Sequence, residues 1–318
     1  MNKQFVLKLA LASTISFAAL ASAPAFAADP ESCATVRFAD VGWTDITATT
    51  ATTSVVLKAL GYQTDVKVLS VPVTYTSLKN KDIDVFLGNW MPTMEADIKP
   101  YREDKSVEVV RANLEGAKYT LATNEKGAEL GIKDFKDIAG QAEALEGKIY
   151  GIEPGNDGNR LILDMVDKNT FGLKDFEVVE SSEQGMLAQV ARAEKEGKPV
   201  VFLGWAPHPM NNNFKLTYLS GGDDIFGPNY GGATVYTNVR GGYTTECPNV
   251  GKLLQNLAFT LPMEADVMGK ISDEGKEPEA AATEYLKANP ATIEPWLAGV
   301  TTLDGKDGLA AVKAALGL

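Results

Sequence analysis

A strand pattern followed by a helix pattern, run through twice in one order, is the feature of this chain that leaves the fewest folds open. In the first pass "TVRFADV" reads as a strand and Gly42-Trp43-Thr44-Asp45 as a turn. Thr47 to Leu60 follows as a helix that stops at Gly61, a residue suited to a left-handed C-terminal turn. "TDVKVL" is a second strand, Val73 to Lys79 a short helix, and "IDVFL" a third strand that runs into Gly88-Asn89-Trp90. The second pass starts at Lys148. "KIYGIE" reads as a strand, Pro154-Gly155-Asn156-Asp157 as its turn, and Asn159 to Lys168 as a helix. "FEVVE" is a strand, Glu183 to Glu196 a helix, and "PVVFL" a strand that runs into Gly204-Trp205. The spacing is kept as well: Trp43 and Trp90 lie 47 residues apart, Asn156 and Trp205 49. Strands alternating with helices imply parallel sheets, right-handed crossovers and helices on both faces. One such unit in each half predicts an α/β protein of two lobes. After about Gly222 one more strand, "GGATVYTNV", precedes three helical patterns, "VGKLLQNLAFT", "EAAATEYLKAN" and "GLAAVKAALGL".

The N-terminus sets the compartment. Lys3 and Lys8 head an apolar run from Leu9 to Leu20, and Ala25-Phe26-Ala27 is an A-x-A cleavage site. This pattern predicts a signal peptide over residues 1–27. No Cys follows it, so no lipid anchor is expected, and no later run is long enough to span a bilayer. The 291 residues that remain of 318 exceed one compact core and suit two domains. Losing the two leader lysines takes the formal charge from −12 to −14. Such acidity excludes nucleic acid as a natural partner and biases encounter toward cations. Cys33 and Cys247 are an even pair in an oxidising compartment, which suggests a disulfide; two separate buried thiols are the alternative. If they pair, the chain returns late to the lobe where it began. The expected division is lobe I from residues 28–117 and 222–318, with lobe II, 118–221, inserted. Gly221-Gly222 reads as either a hinge segment or a simple turn.

Ligands of such sheets bind beyond the carboxyl ends of the strands. "DVFLGNWMPT" and "VVFLGWAPHP" each end a buried strand there with Gly and then Trp. The glycines allow a turn or a close approach. The first strands deliver Trp43 with Asp45, and Asn156, to the same rims. Enzyme chemistry is poorly supplied. The single histidine, His208, lies between two prolines and reads as support for the turn after Trp205. There is no nucleophile elbow, Walker loop or dinucleotide fingerprint, no metal-ligand set and no cofactor motif. Indole faces attract cations, and a quaternary ammonium has no N–H that needs an acceptor. Asp45 can add charge or accept a ligand hydroxyl; it also suits the first turn of a helix without any ligand. Facing a ligand, it would disfavour one that carries a carboxylate. Trp296 falls in the helical tail and reads as structural.

Taken together, "VGWTD", "DVFLGNWMPT", "AKYTL", "EPGND", "FLGWAPHPMN" and "ANPATIEPWLAGV" resemble the periplasmic substrate-binding proteins of ABC importers for choline and glycine betaine, the dedicated choline-binding group most of all. The resemblance covers nearly all of the chain after the leader. It implies a two-lobed periplasmic-binding-protein fold of the second type, with the ligand cleft between the lobes. It implies an aromatic box of Trp43, Trp90, Tyr119 and Trp205, with Asp45 and Asn156 as polar contacts. The expected protein is a periplasmic, monomeric receptor without a cofactor that binds choline and hands it to a membrane permease. Glycine betaine, acetylcholine and other small quaternary amines are the alternative ligands. An extracytoplasmic enzyme using cleft carboxylates is the alternative class.

Overall fold

The computed structural model describes residues 29–318. The leader lies outside them. The first pass forms β1 (Thr35–Asp40), β2 (Gln63–Val68) and β3 (Val85–Met91). A long strand, β4 (Val107–Thr123), leads to the second pass, β5 (Lys148–Tyr150), β6 (Glu177–Val179) and β7 (Val201–Ala206). The short β8 (Thr217–Tyr218) and then β9 (Gly232–Arg240) follow. All join one sheet in the order β2-β1-β3-β9-β4-β7-β5-β6, with β8 paired to β4.

The two passes fold alike. β1 pairs in parallel with β2 and β3, and β5 in parallel with β6 and β7. In each half the first strand lies in the middle and the third strand innermost. The expectation of parallel sheets fails at the centre. β4 runs antiparallel to both β7 and β9, and β9 antiparallel to β3. The cause is the path of the chain. β4 opens opposite Arg240 of β9 and closes opposite Val201 of β7, so one strand carries the chain from half to half. Three register shifts against β9 bend it along the way, as bulges do. Gly221 and Gly222 make no crossing. They pack on Asp134 and Phe135 of the second half, where a Cβ on Gly222 would meet the Phe135 ring at 2.5 Å.

β3 and β7 are buried along nearly their whole length, which explains why both read as continuous apolar runs. Their glycines serve close packing. A Cβ on Gly88 would lie 2.7 Å from Ile46, and one on Gly204 2.9 Å from the Ala122 Cβ. Both phrases end in a cis peptide, Met91-Pro92 and Ala206-Pro207. They differ by one bulge. Between Phe86 and Asn89 the β3–β9 register slips, whereas β7 keeps step with β4 from Val201 to Ala206. Asn89, the added residue, is held in a buried polar triad. Its Oδ1 accepts from the Tyr75 hydroxyl at 3.1 Å, and Asn238 donates to that hydroxyl at 3.2 Å.

The helix Thr44–Ala59 is rich in threonine, yet buried on most sides. Thr52 and Thr53 return their hydroxyls to the carbonyls of Ala48 and Thr49, each at 2.8 Å, which removes much of the cost of burying them. Cys33 and Cys247 are disulfide-bonded, with Cα atoms 5.8 Å apart. Among the described residues no helix is long and apolar enough to cross a membrane.

Candidate functional site

The carboxyl ends of β1, β3, β5 and β7 converge on a cavity of about 270 Å³, lined by Trp43, Asp45, Trp90, Tyr119, Ile152, Asn156, Asp157 and Trp205. All six residues singled out in the sequence are brought together here. Ile152 and Asp157 were not anticipated. The signal for Asp157 was the repeat itself: it opens its helix as Asp45 does in the other half.

Each half presents the start of a helix to the cavity. Trp43 is the N-cap of Thr44–Ala59, and Asn156 the N-cap of the helix Asp157–Asp167. Asn156 caps through its side chain, accepting the Asn159 N–H at 3.1 Å and the Tyr119 hydroxyl at 3.0 Å. Trp43 cannot cap that way, and its indole N–H instead donates to the Glu153 carboxylate at 3.0 Å. Trp90 comes from β3, and its indole N–H donates to Asp45 Oδ2 at 3.1 Å. Tyr119, on the crossing strand β4, stands edge-on to Trp90 at 6.1 Å and to Trp205 at 6.2 Å. Trp205 is its direct neighbour across the β4–β7 ladder. His208 backs Trp205 at 4.9 Å, in keeping with a supporting place in the turn.

The polar groups of the cavity are incompletely satisfied. Asp45 Oδ1 and Asp157 Oδ2 are buried without a hydrogen-bond partner among the described residues. Thr93 lies near Asp157 but gives its hydroxyl to the Trp90 carbonyl at 3.2 Å. Burial, reinforced by the charge of Glu183, pushes Asp45 up to about 8. Burial, with Asp97 adding to it, pushes Asp157 up to about 6. Glu153, behind the Trp43 indole, is raised by burial to about 7. Carboxyls held in this way lack a positive neighbour. Aromatic faces around two orphaned carboxylate oxygens are a receptacle for an organic cation.

Three contacts tie the halves together around the cavity: Trp43 to Glu153, Thr44 to Glu183, and Arg160 to Asp97. Arg160 is bidentate, with Nη1 and Nη2 donating to Asp97 at 2.7 and 2.8 Å.

Residues 34–288 match the family described as the substrate binding domain of ABC-type glycine betaine transport systems, OpuAC. The chain belongs to this family. OpuAC domains are substrate-binding components of transport systems, not an enzyme family. The chain is 81% identical to a structure described as an ABC-transporter choline binding protein in complex with choline, covering 91% of this chain and 100% of that one with a TM-score of 0.90. The unliganded semi-closed form, also at 81% identity and covering 91% of this chain and 100% of that one, superposes at 0.84. Lactococcal OpuAC, closed on glycine betaine, is 26% identical over 82% of this chain and 98% of its own, with a TM-score of 0.74. The Listeria monocytogenes glycine betaine/carnitine transport binding protein GbuC is 30% identical over 133 residues, 42% of this chain and 43% of that protein. The two-lobed, periplasmic-binding-protein architecture expected from the sequence is the architecture of these relatives.

Proposed function

We propose that this OpuAC-family protein is the choline receptor of an ABC importer. The observation that carries the reading is the cavity: an indole-and-phenol box holding two buried carboxylate oxygens without partners. In this reading the trimethylammonium group lies among Trp43, Trp90, Tyr119 and Trp205. Each indole contributes about 0.5–2 kcal/mol beyond the apolar area of the methyl groups. Asp45 and Asp157 supply opposite charge, and Asp45 and Asn156 meet the hydroxyl. Glycine betaine would bring its own carboxylate against two buried acids, a like-charge contact that is costly away from water. Acetylcholine keeps the cation but asks a small cavity to hold an ester. The positive ends of two helices face the same space and temper the acids without cancelling them.

Capture requires the halves to part and close. The division that serves this pairs residues 28–117 and 222–318 against 118–221, with β4 as one crossing and the segment before β9 as the other. The protein then acts in the periplasm, passes choline unchanged to a membrane permease, and performs no chemistry on it. Isothermal titration against choline, acetylcholine and glycine betaine tests the reading. Choline should bind with the highest affinity and betaine the lowest. Tighter betaine binding would overturn the part assigned to the acids, and recovered hydrolysis product from acetylcholine would revive the enzyme alternative.

A further inference from the structure

Glu183 opens the helix Glu183–Glu196 in the second half, but its side chain does not serve that helix. Ser182 caps it, accepting the Gly185 N–H at 3.0 Å. The Glu183 carboxylate, 2% exposed, reaches into the first half. There it accepts the Thr44 N–H at 2.9 Å and the Thr44 hydroxyl, 139 residues away in sequence. The first N–H groups of a helix have no partner inside it. The N-cap of Thr44–Ala59 is Trp43, whose side chain accepts nothing. The helix that carries Asp45 is therefore capped from the opposite half.

The other side of Glu183 leads to the second wall. His208 Nδ1 accepts the Met210 N–H at 2.9 Å, so the ring proton sits on Nε2. Nε2 lies 3.2 Å from Glu183 Oε1 and donates to it. The same ring backs Trp205. One carboxylate thus joins Thr44, between Trp43 and Asp45, to the support of Trp205.

We propose that Glu183 is the latch that holds the two halves shut over the bound cation. The inference rests on the reading of the cavity as a choline site. Once the halves part, Thr44 and Glu183 return to water, so their contact favours the closed state alone. Shutting also brings the Glu183 charge toward Asp45, a repulsion visible in the raised proton affinity of Asp45. A cation among the indoles offsets that repulsion. The latch is then firm over a cation and weak without one. Glu183 is a positioning residue: it shapes binding through the helix cap and touches no ligand.

Stopped-flow tryptophan fluorescence with choline separates the two rate constants. Glu183→Ala should raise the dissociation rate roughly ten- to a hundredfold, as expected for orphaning buried donors, with the association rate within about twofold. Thr44→Val, which keeps its N–H, should raise dissociation by a smaller factor. Glu183→Gln keeps one acceptor oxygen and should fall between native protein and Glu183→Ala. An unchanged dissociation rate, or a loss carried by association, overturns the latch. The choline-free melting temperature of Glu183→Ala should match the native protein, and a large fall would mark a plain folding role and also overturn it. Failure of native protein to respond to choline would instead sink the ligand reading. The latch is still judged in that case by spin labels placed one on each half. Without ligand, Glu183→Ala should populate longer distances than native protein, and coincident distributions refute the proposal.

Discussion

The phrases around Trp90 and Trp205 solve one problem in two ways. Both end a buried strand with a glycine that lets a neighbour press close, then an indole, then a cis proline. Trp205 lies in an unbroken ladder and meets Tyr119 directly across it. Trp90 follows a one-residue bulge, and its indole N–H meets the acid of its own half, Asp45. A repeated unit alone would have given two walls of the same kind. One inserted residue gives a wall that pairs with an acid facing a wall that pairs with an aromatic strand.

The severest way to break this comparison is to make the phrases equal. Deleting Asn89 removes the bulge, and a one-residue slip turns the following side chains to the opposite face. Choline binding should fall beyond detection by calorimetry, with the secondary structure by circular dichroism retained. Retained affinity would mean that the bulge does not aim Trp90. Next come the single indoles. Trp90→Ala should weaken binding by roughly a hundredfold, because it removes a cage wall and the partner of Asp45 together; Trp205→Ala should cost roughly thirtyfold. The reverse order in a titration series would show that the aromatic ladder, not the acid-paired wall, dominates.

Acidity sharpens the comparison further. A bound cation favours ionised carboxylates, so capture below the elevated value of Asp45, about 8, must expel a proton. Choline affinity should therefore rise with pH and level off above that point, by at most about tenfold per unit for one group. Asp157, held near 6, contributes a lower step from the second half. Asp45→Asn should flatten the upper part of the profile and spare the lower. A profile independent of pH would remove both acids from the binding account. The smallest effect belongs to Trp296→Phe. That indole is buried among the C-terminal helices, donates to the Ala258 carbonyl at 3.1 Å and packs on Phe259. Choline affinity should not change.

Much of this was legible because the strand–helix alternation is local. The order of elements through both passes, and the convergence of Trp43, Trp90 and Trp205, follow from where apolar runs stop. The centre of the sheet was not legible. β4 mixes charged and apolar residues and shifts register three times, so no single period marks it. Its antiparallel sense depends on where β7 and β9 arrive much later. Asp157 looked like any first-turn acid, and only its place opposite Asp45 gives it meaning. Glu183 was invisible as a cap because the helix it serves lies 139 residues away.

The bridge between Cys33 and Cys247 has a practical reach beyond the cavity. Cys33 precedes β1 and Trp43 follows it, so the crosslink sits at the opposite end of that strand from the indoles. Protein made in a reducing cytosol should capture choline as well as secreted material does. It should nevertheless give up roughly 2–5 kcal/mol of resistance to heat, measurable as an earlier melt with an unchanged titration. Endurance and recognition are then separate traits of this receptor, and either can be tuned while the other is left alone.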